Sequence, residues 1–123
     1  NASSYFRFME NVQKAGVDIP VIAGIMPITN FKQLAQFSDM CGAEIPRWIR
    51  LRLESYGDDL ASIRAFGLDV VTELCEQLLA GGAPGLHFYS LNKAATTREI
   101  WHRLKLDERK EIGSDKKAEA VQV

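Results

Sequence analysis

The sequence predicts an α/β fold with two parallel strands and about five helices, on three observations. The nearly continuous apolar run at residues 19–26 lacks the strict alternation of a half-exposed strand, and LHFYSL at 86–91 reads as a second strand. Runs of that kind belong to strands buried on both faces, as in parallel sheets. Most of the remaining chain up to residue 106 carries apolar residues at helical spacing. Helices thus lie between the strands, which implies parallel pairing through a right-handed crossover.

Taken in order, residues 2–15 form the first helical pattern, with Tyr5, Phe6, Phe8, Met9 and Val12 on one side. Ser3 or Ser4 is expected to cap its start, and Gly16 to end it in a left-handed conformation. The first strand follows at 19–26 and stops at Pro27, which has no N–H for a central strand to use. Thr29 and Asn30 offer caps for a helix over 31–41 that Gly42 closes. Pro46 opens another helix to Tyr56, broken at Gly57. Asp58 or Asp59 caps a longer one through Leu79, with Gly81 and Gly82 as the stop. After the second strand comes a last helix over 96–104. Residues 107–123 mix both charge signs without apolar periodicity and read as a solvated, disordered tail.

Two strands are too few for a stable parallel sheet, so this order calls for further strands beside them, or else for an unusual small fold made by the helices. The chain of 123 residues is too short for a barrel of about 250. It opens with Asn1 rather than Met and runs straight into a helix, which fits a truncated record and leaves an upstream segment open.

A net charge of −1 creates no field that would favour nucleic acid or an anionic membrane. No apolar run reaches the roughly 20 residues needed to span a bilayer. Cys41 and Cys75 stand far apart, outside any CxxC pair, and are expected to be reduced thiols of a cytoplasmic protein. No His/Cys set has zinc spacing, and GxGxxG, GxxxxGK, HExxH and GxSxG motifs are absent. Arg47, Arg50 and Arg52 are spread around their helix by its geometry and read as an exposed face. The sequence leaves a homo-oligomer open.

In α/β barrels the loops after the strands form the active site, which directs attention to residues 24–37 and 90–97. Gly24 offers close approach to a ligand or backbone, or marks a bulge. Gln33 and Phe37 stand four apart and share a helix face. An amide beside a phenyl ring suits the edge and the face of a flat heterocycle; a core Phe37 and a surface Gln33 are the simpler account of the spacing alone. Lys93, just past the second strand, suits a carboxylate or phosphate, or is a solvated loop lysine. His87, within that strand and without a His or Cys neighbour, reads as a hydrogen-bonded packing residue.

The stretch GIMPITNF at 24–31 resembles the strand-loop signature of bacterial methylenetetrahydrofolate reductases, and LHFYSLNK at 86–93 is similar to the last barrel strand of that family. IPRW at 45–48 and YFRF at 5–8 match in kind and order, so the resemblance covers residues 1–106. It implies the C-terminal part of a TIM-type (β/α)8 barrel, about the last quarter or third. The family holds FAD: NAD(P)H reduces the flavin, which then passes hydride to methylene-tetrahydrofolate, giving methyl-tetrahydrofolate for methionine synthesis. By match, Gln33 becomes a folate-contacting amide and Phe37 the ring that packs against nicotinamide or folate. Lys93 falls where the family can have an arginine that touches folate, keeping the charge without the planar fork. The resemblance places the glutamate acid and most FAD contacts on earlier strands, so no catalytic residue is assigned here and the fragment alone is expected to be inactive. Another barrel enzyme of different chemistry, or a non-catalytic binding or remnant protein, are the rival readings.

Overall fold

In a computed structural model, residues 1–106 are described, and the 107–123 tail expected from composition lies outside them. The element order is α1 (Ala2–Lys14), β1 (Ala23–Ile25), α2 (Phe31–Cys41), α3 (Arg47–Tyr56), α4 (Leu60–Ala80), β2 (Leu86–Phe88) and α5 (Ala94–Arg103). The expected pair of parallel strands and five helices is present.

Local chemistry fixes most helix ends. Asn30, in an extended conformation, accepts a hydrogen bond from the Gln33 amide at 3.1 Å and starts α2. Gly42, at φ 63°, ends it in the left-handed region. Of the two aspartates expected to cap α4, Asp59 does so, accepting from Ser62 N at 3.1 Å and Ser62 Oγ at 2.6 Å. Those bonds hold its carboxyl below the usual carboxylate range. At α1 the cap is Asn1, whose side chain takes the Ser3 amide at 3.0 Å, instead of Ser3 or Ser4. The helix begins at Ala2, so both serines already lie inside it.

The strands pair in the register Ala23–Leu86, Gly24–His87 and Ile25–Phe88, extended by Tyr89 N donating to Ile25 O at 2.9 Å. Both are shorter than their apolar runs. Among the described residues each strand has one hydrogen-bonded neighbour, and the two pair over three positions only. The expectation that β1 is buried on both faces is also corrected. Ile25 is buried, but Gly24 is exposed and Ile22 is 54% exposed, because the helices cover a single face of this sheet.

α4 is the organising element and packs against α1, α3 and α5. Its buried side carries Ile63, Val71, Cys75 and Leu78, which meet Leu53 of α3 and Ile100 of α5 in the core. Trp48 and Tyr56 of α3 close on Phe66 with ring centroids 6.1 and 5.9 Å away. Arg103 ties α5 to α4 through Asp69 at 2.6 Å, an exposed pair of small energetic weight. Cys41 and Cys75 are both free. Burial, with Glu76 nearby, pushes the Cys75 thiol up to about 11, so it packs as a neutral group.

One contact sets where α4 lies relative to the loop after β1. A Cβ on Gly67 would stand 2.6 Å from Ile28 Cβ and closer still to the Ile28 carbonyl oxygen. Only a residue without a side chain lets the helix rest on that loop. Gly67→Ala is expected to destabilise the fold by about 1–3 kcal/mol, read as a lower denaturant midpoint. An unchanged midpoint would show that the loop moves aside freely.

Candidate functional site

The carboxyl ends of both strands lead into loops that start helices, and the candidate side chains gather there. β1 runs through Met26–Asn30 into α2, whose first turn is pinned by the Asn30 cap. That cap sets Gln33, exposed, beside a cavity of about 360 Å³. Lys93 reaches the same cavity from the other strand. Before it, Leu91 (φ 48°) and Asn92 (φ 62°) both occupy the left-handed region, and Lys93 N donates to Ser90 O at 2.8 Å. Asn accepts that conformation readily, but Leu does so rarely. The tight turn makes Lys93 the N-cap residue of α5. Thr29, Asn30, Arg64 and Thr96 complete much of the lining.

Phe37, one turn beyond Gln33, faces a different space. It is half-buried and lines a larger cavity of about 580 Å³ with Gly24, Met26, Leu34 and Tyr89. Its ring centroid lies 5.6 Å from that of Tyr89 at 49°. His87 meets Tyr89 edge-on at 5.0 Å. It packs as expected but stands exposed, and its ring has no hydrogen bond among the described residues. Its imidazole lies on the uncovered strand face, away from donors and acceptors of the described residues.

Gly24 explains the position of Tyr89. A Cβ there would stand 2.6 Å from Tyr89 Cε2 and 2.9 Å from its Oη. The room that glycine leaves is therefore filled by an aromatic side chain of the same protein rather than kept for a ligand. Of the three residues singled out from sequence, Gln33 and Lys93 come together, and Phe37 lines a separate cavity. Two neighbours went unnoticed. Tyr89 was findable, since strand alternation puts it on the His87 face beside Gly24. Arg64 had no local signal, because its approach to Lys93 depends on how α4 meets α5.

Among the described residues no helix is long and apolar enough to cross a membrane. No three His, Cys, Asp or Glu side chains gather there as a metal site.

Fold and site together define an α/β protein with ligand-type side chains at the carboxyl ends of parallel strands, the arrangement of strand-end binding sites in this class. Residues 1–105 match the family model for methylenetetrahydrofolate reductase, and the chain belongs to that family. It is 35% identical over 104 residues to the 5,10-methylenetetrahydrofolate reductase of Salmonella typhimurium, covering 85% of this chain and 35% of that protein. Identity to the Buchnera aphidicola (subsp. Schizaphis graminum) protein of the same name is 37% over 102 residues, 83% of this chain and 35% of the other. A probable methylenetetrahydrofolate reductase (NADH) of Oryza sativa is 32% identical over 108 residues, 88% of this chain and 18% of that protein. The chain thus spans about a third of the length of the bacterial relatives it matches. The resemblance drawn from residues 24–31 and 86–93 holds.

Gly24→Ala is expected to drive the Tyr89 ring off the sheet. Cross-relaxation between the Phe37 and Tyr89 rings in NMR spectra should be present in the parent protein and lost in the variant. Its persistence would mean that the strand yields and the ring does not.

Proposed function

We propose that residues 1–106 are the substrate side of a TIM-type barrel that reduces methylene-tetrahydrofolate to methyl-tetrahydrofolate with NAD(P)H, a step that feeds methionine synthesis. Family membership supports this reading, and one structural observation carries it: Gln33 and Lys93, far apart in sequence, border one cavity at the strand ends. In this reading the Gln33 amide donates and accepts at the edge of the pterin. The Phe37 ring covers the face of the folate or, in its turn, of the nicotinamide. Lys93 attracts the carboxylate end of folate.

FAD, when bound, supplies hydride transfer between the two substrates. The described residues do not by themselves fit it. The strand face bearing Gly24, His87 and Tyr89 is open, with two strands behind it. No step is assigned to a flavin contact on this chain, and the proton donor and most flavin contacts belong to residues outside it. Residues 1–106 alone are accordingly inactive, and the longer protein acts in the cytoplasm.

The test uses the full-length protein with flavin bound. Gln33→Ala should raise KM for methylene-tetrahydrofolate about tenfold, the loss of one or two hydrogen bonds, while flavin reduction by NAD(P)H keeps its rate. Unchanged folate kinetics with flavin retained would remove Gln33 from the site. Phe37→Ala should slow both half-reactions about tenfold, since one ring serves both flat ligands. An effect on one half-reaction alone would restrict the ring to that ligand.

A further inference from the structure

We propose that Tyr89 is a positioning residue for Phe37: its ring, seated on the bare backbone of Gly24, sets the angle at which the Phe37 ring meets a flat ligand. The inference rests on the role given to Phe37 above and adds the residue that holds it.

Tyr89 is fixed from three directions. Its N–H donates to Ile25 O at 2.9 Å, which anchors the backbone at the end of β2. Its ring crosses onto the neighbouring strand and fills the place of a Gly24 side chain, since a Cβ there would stand 2.6 Å from Cε2. His87 closes on it edge-on, with centroids 5.0 Å apart at 75°. The hydroxyl has no hydrogen bond among the described residues, so the flat face and not the O–H decides where the ring lies.

Phe37 has no comparable seat of its own. Among the described residues Tyr89 is the one ring it meets, at 5.6 Å and a tilt of 49°. Met26 and Leu34 share the cavity wall with it, and a methionine follows a moving neighbour more than it restrains one. Tilted rings at this distance attract, so Tyr89 favours one Phe37 orientation as well as blocking others. The pair is not core packing: neither ring belongs to the buried cluster or to the side chains packed against it, and Tyr89 is 42% exposed. A ring that serves two flat ligands in turn has to return to one orientation between them, and a boxed-in neighbour supplies that return. Orientation settled before binding removes part of the entropy that a ligand would otherwise have to overcome.

The experiment uses the full-length flavoprotein and its Tyr89→Phe, Tyr89→Leu, Phe37→Leu and doubly substituted Phe37→Leu, Tyr89→Leu forms. In the ligand-free protein, NMR relaxation of the Phe37 ring should report the same order in the parent and in Tyr89→Phe, and clearly greater motion in Tyr89→Leu. Tyr89→Leu should slow both half-reactions about threefold, the size of one ring contact, while Tyr89→Phe keeps the parent rates. With Phe37→Leu already present, Tyr89→Leu should slow neither half-reaction further, because its effect passes through a ring that is gone. Should Tyr89→Leu not fold, Tyr89→Met, which keeps the bulk without the flat face, takes its place in every comparison. Greater Phe37 motion in Tyr89→Leu, in a protein without folate turnover, would reject the folate reading while keeping the positioning role. A Phe37 ring equally ordered with Tyr89 and with Leu at that position would overturn the proposal. So would a Tyr89→Leu loss that persists at full size in the Phe37→Leu protein, since Tyr89 would then act on the ligand directly.

Discussion

The bare backbone of Gly67 resting on the carbonyl of Ile28 is the contact on which the rest of this architecture turns. It seats α4 against the loop leaving β1, and α4 in turn holds α1, α3 and α5. A side chain there would lift the helix from the loop and shift Arg64, the α2 amino end and the core layer of Ile63 and Val71 together. Close packing makes such a shift costly, since the interior has little free volume to absorb it. Position and stability thus share one cause.

The site divides by chemistry. One cavity is rimmed by Phe37 and Tyr89, with Gly24 leaving the space that the tyrosine ring fills. The other is rimmed by an amide and two cations. Gln33 and Phe37 sit one helical turn apart on α2, so the same short segment addresses both spaces. Under the proposed function, the flat and the charged parts of one ligand would divide between the two spaces.

Most of the fold was legible because helices announce themselves locally. Asn30, Gly42, Asp59 and the Gly81–Gly82 pair mark ends that hydrogen bonds to nearby backbone decide. Strand lengths were not legible in the same way. The runs at 19–26 and 86–91 are mostly apolar beyond the residues that pair, but pairing depends on a neighbour that the run itself does not contain. Asn1 displaced the serines as cap because the helix begins one residue into the chain, where no periodicity has yet accumulated. Spacing alone left Gln33, Phe37 and Lys93 undistinguished from surface and core residues. The long family-like strings around them singled them out, and the three-dimensional meeting of Gln33 with Lys93 came only from the packing of the helices.

The turn at Leu91–Asn92 has a bearing on binding strength. Two successive left-handed residues leave the preceding chain few alternative paths, so the backbone of Lys93 is ordered when the protein folds rather than when a ligand arrives. In the role proposed for Lys93, an incoming anion would meet a mount that is already stiff, and less conformational freedom would disappear on contact. The charge on this flexible side chain should act with the economy of a shorter, more rigid one.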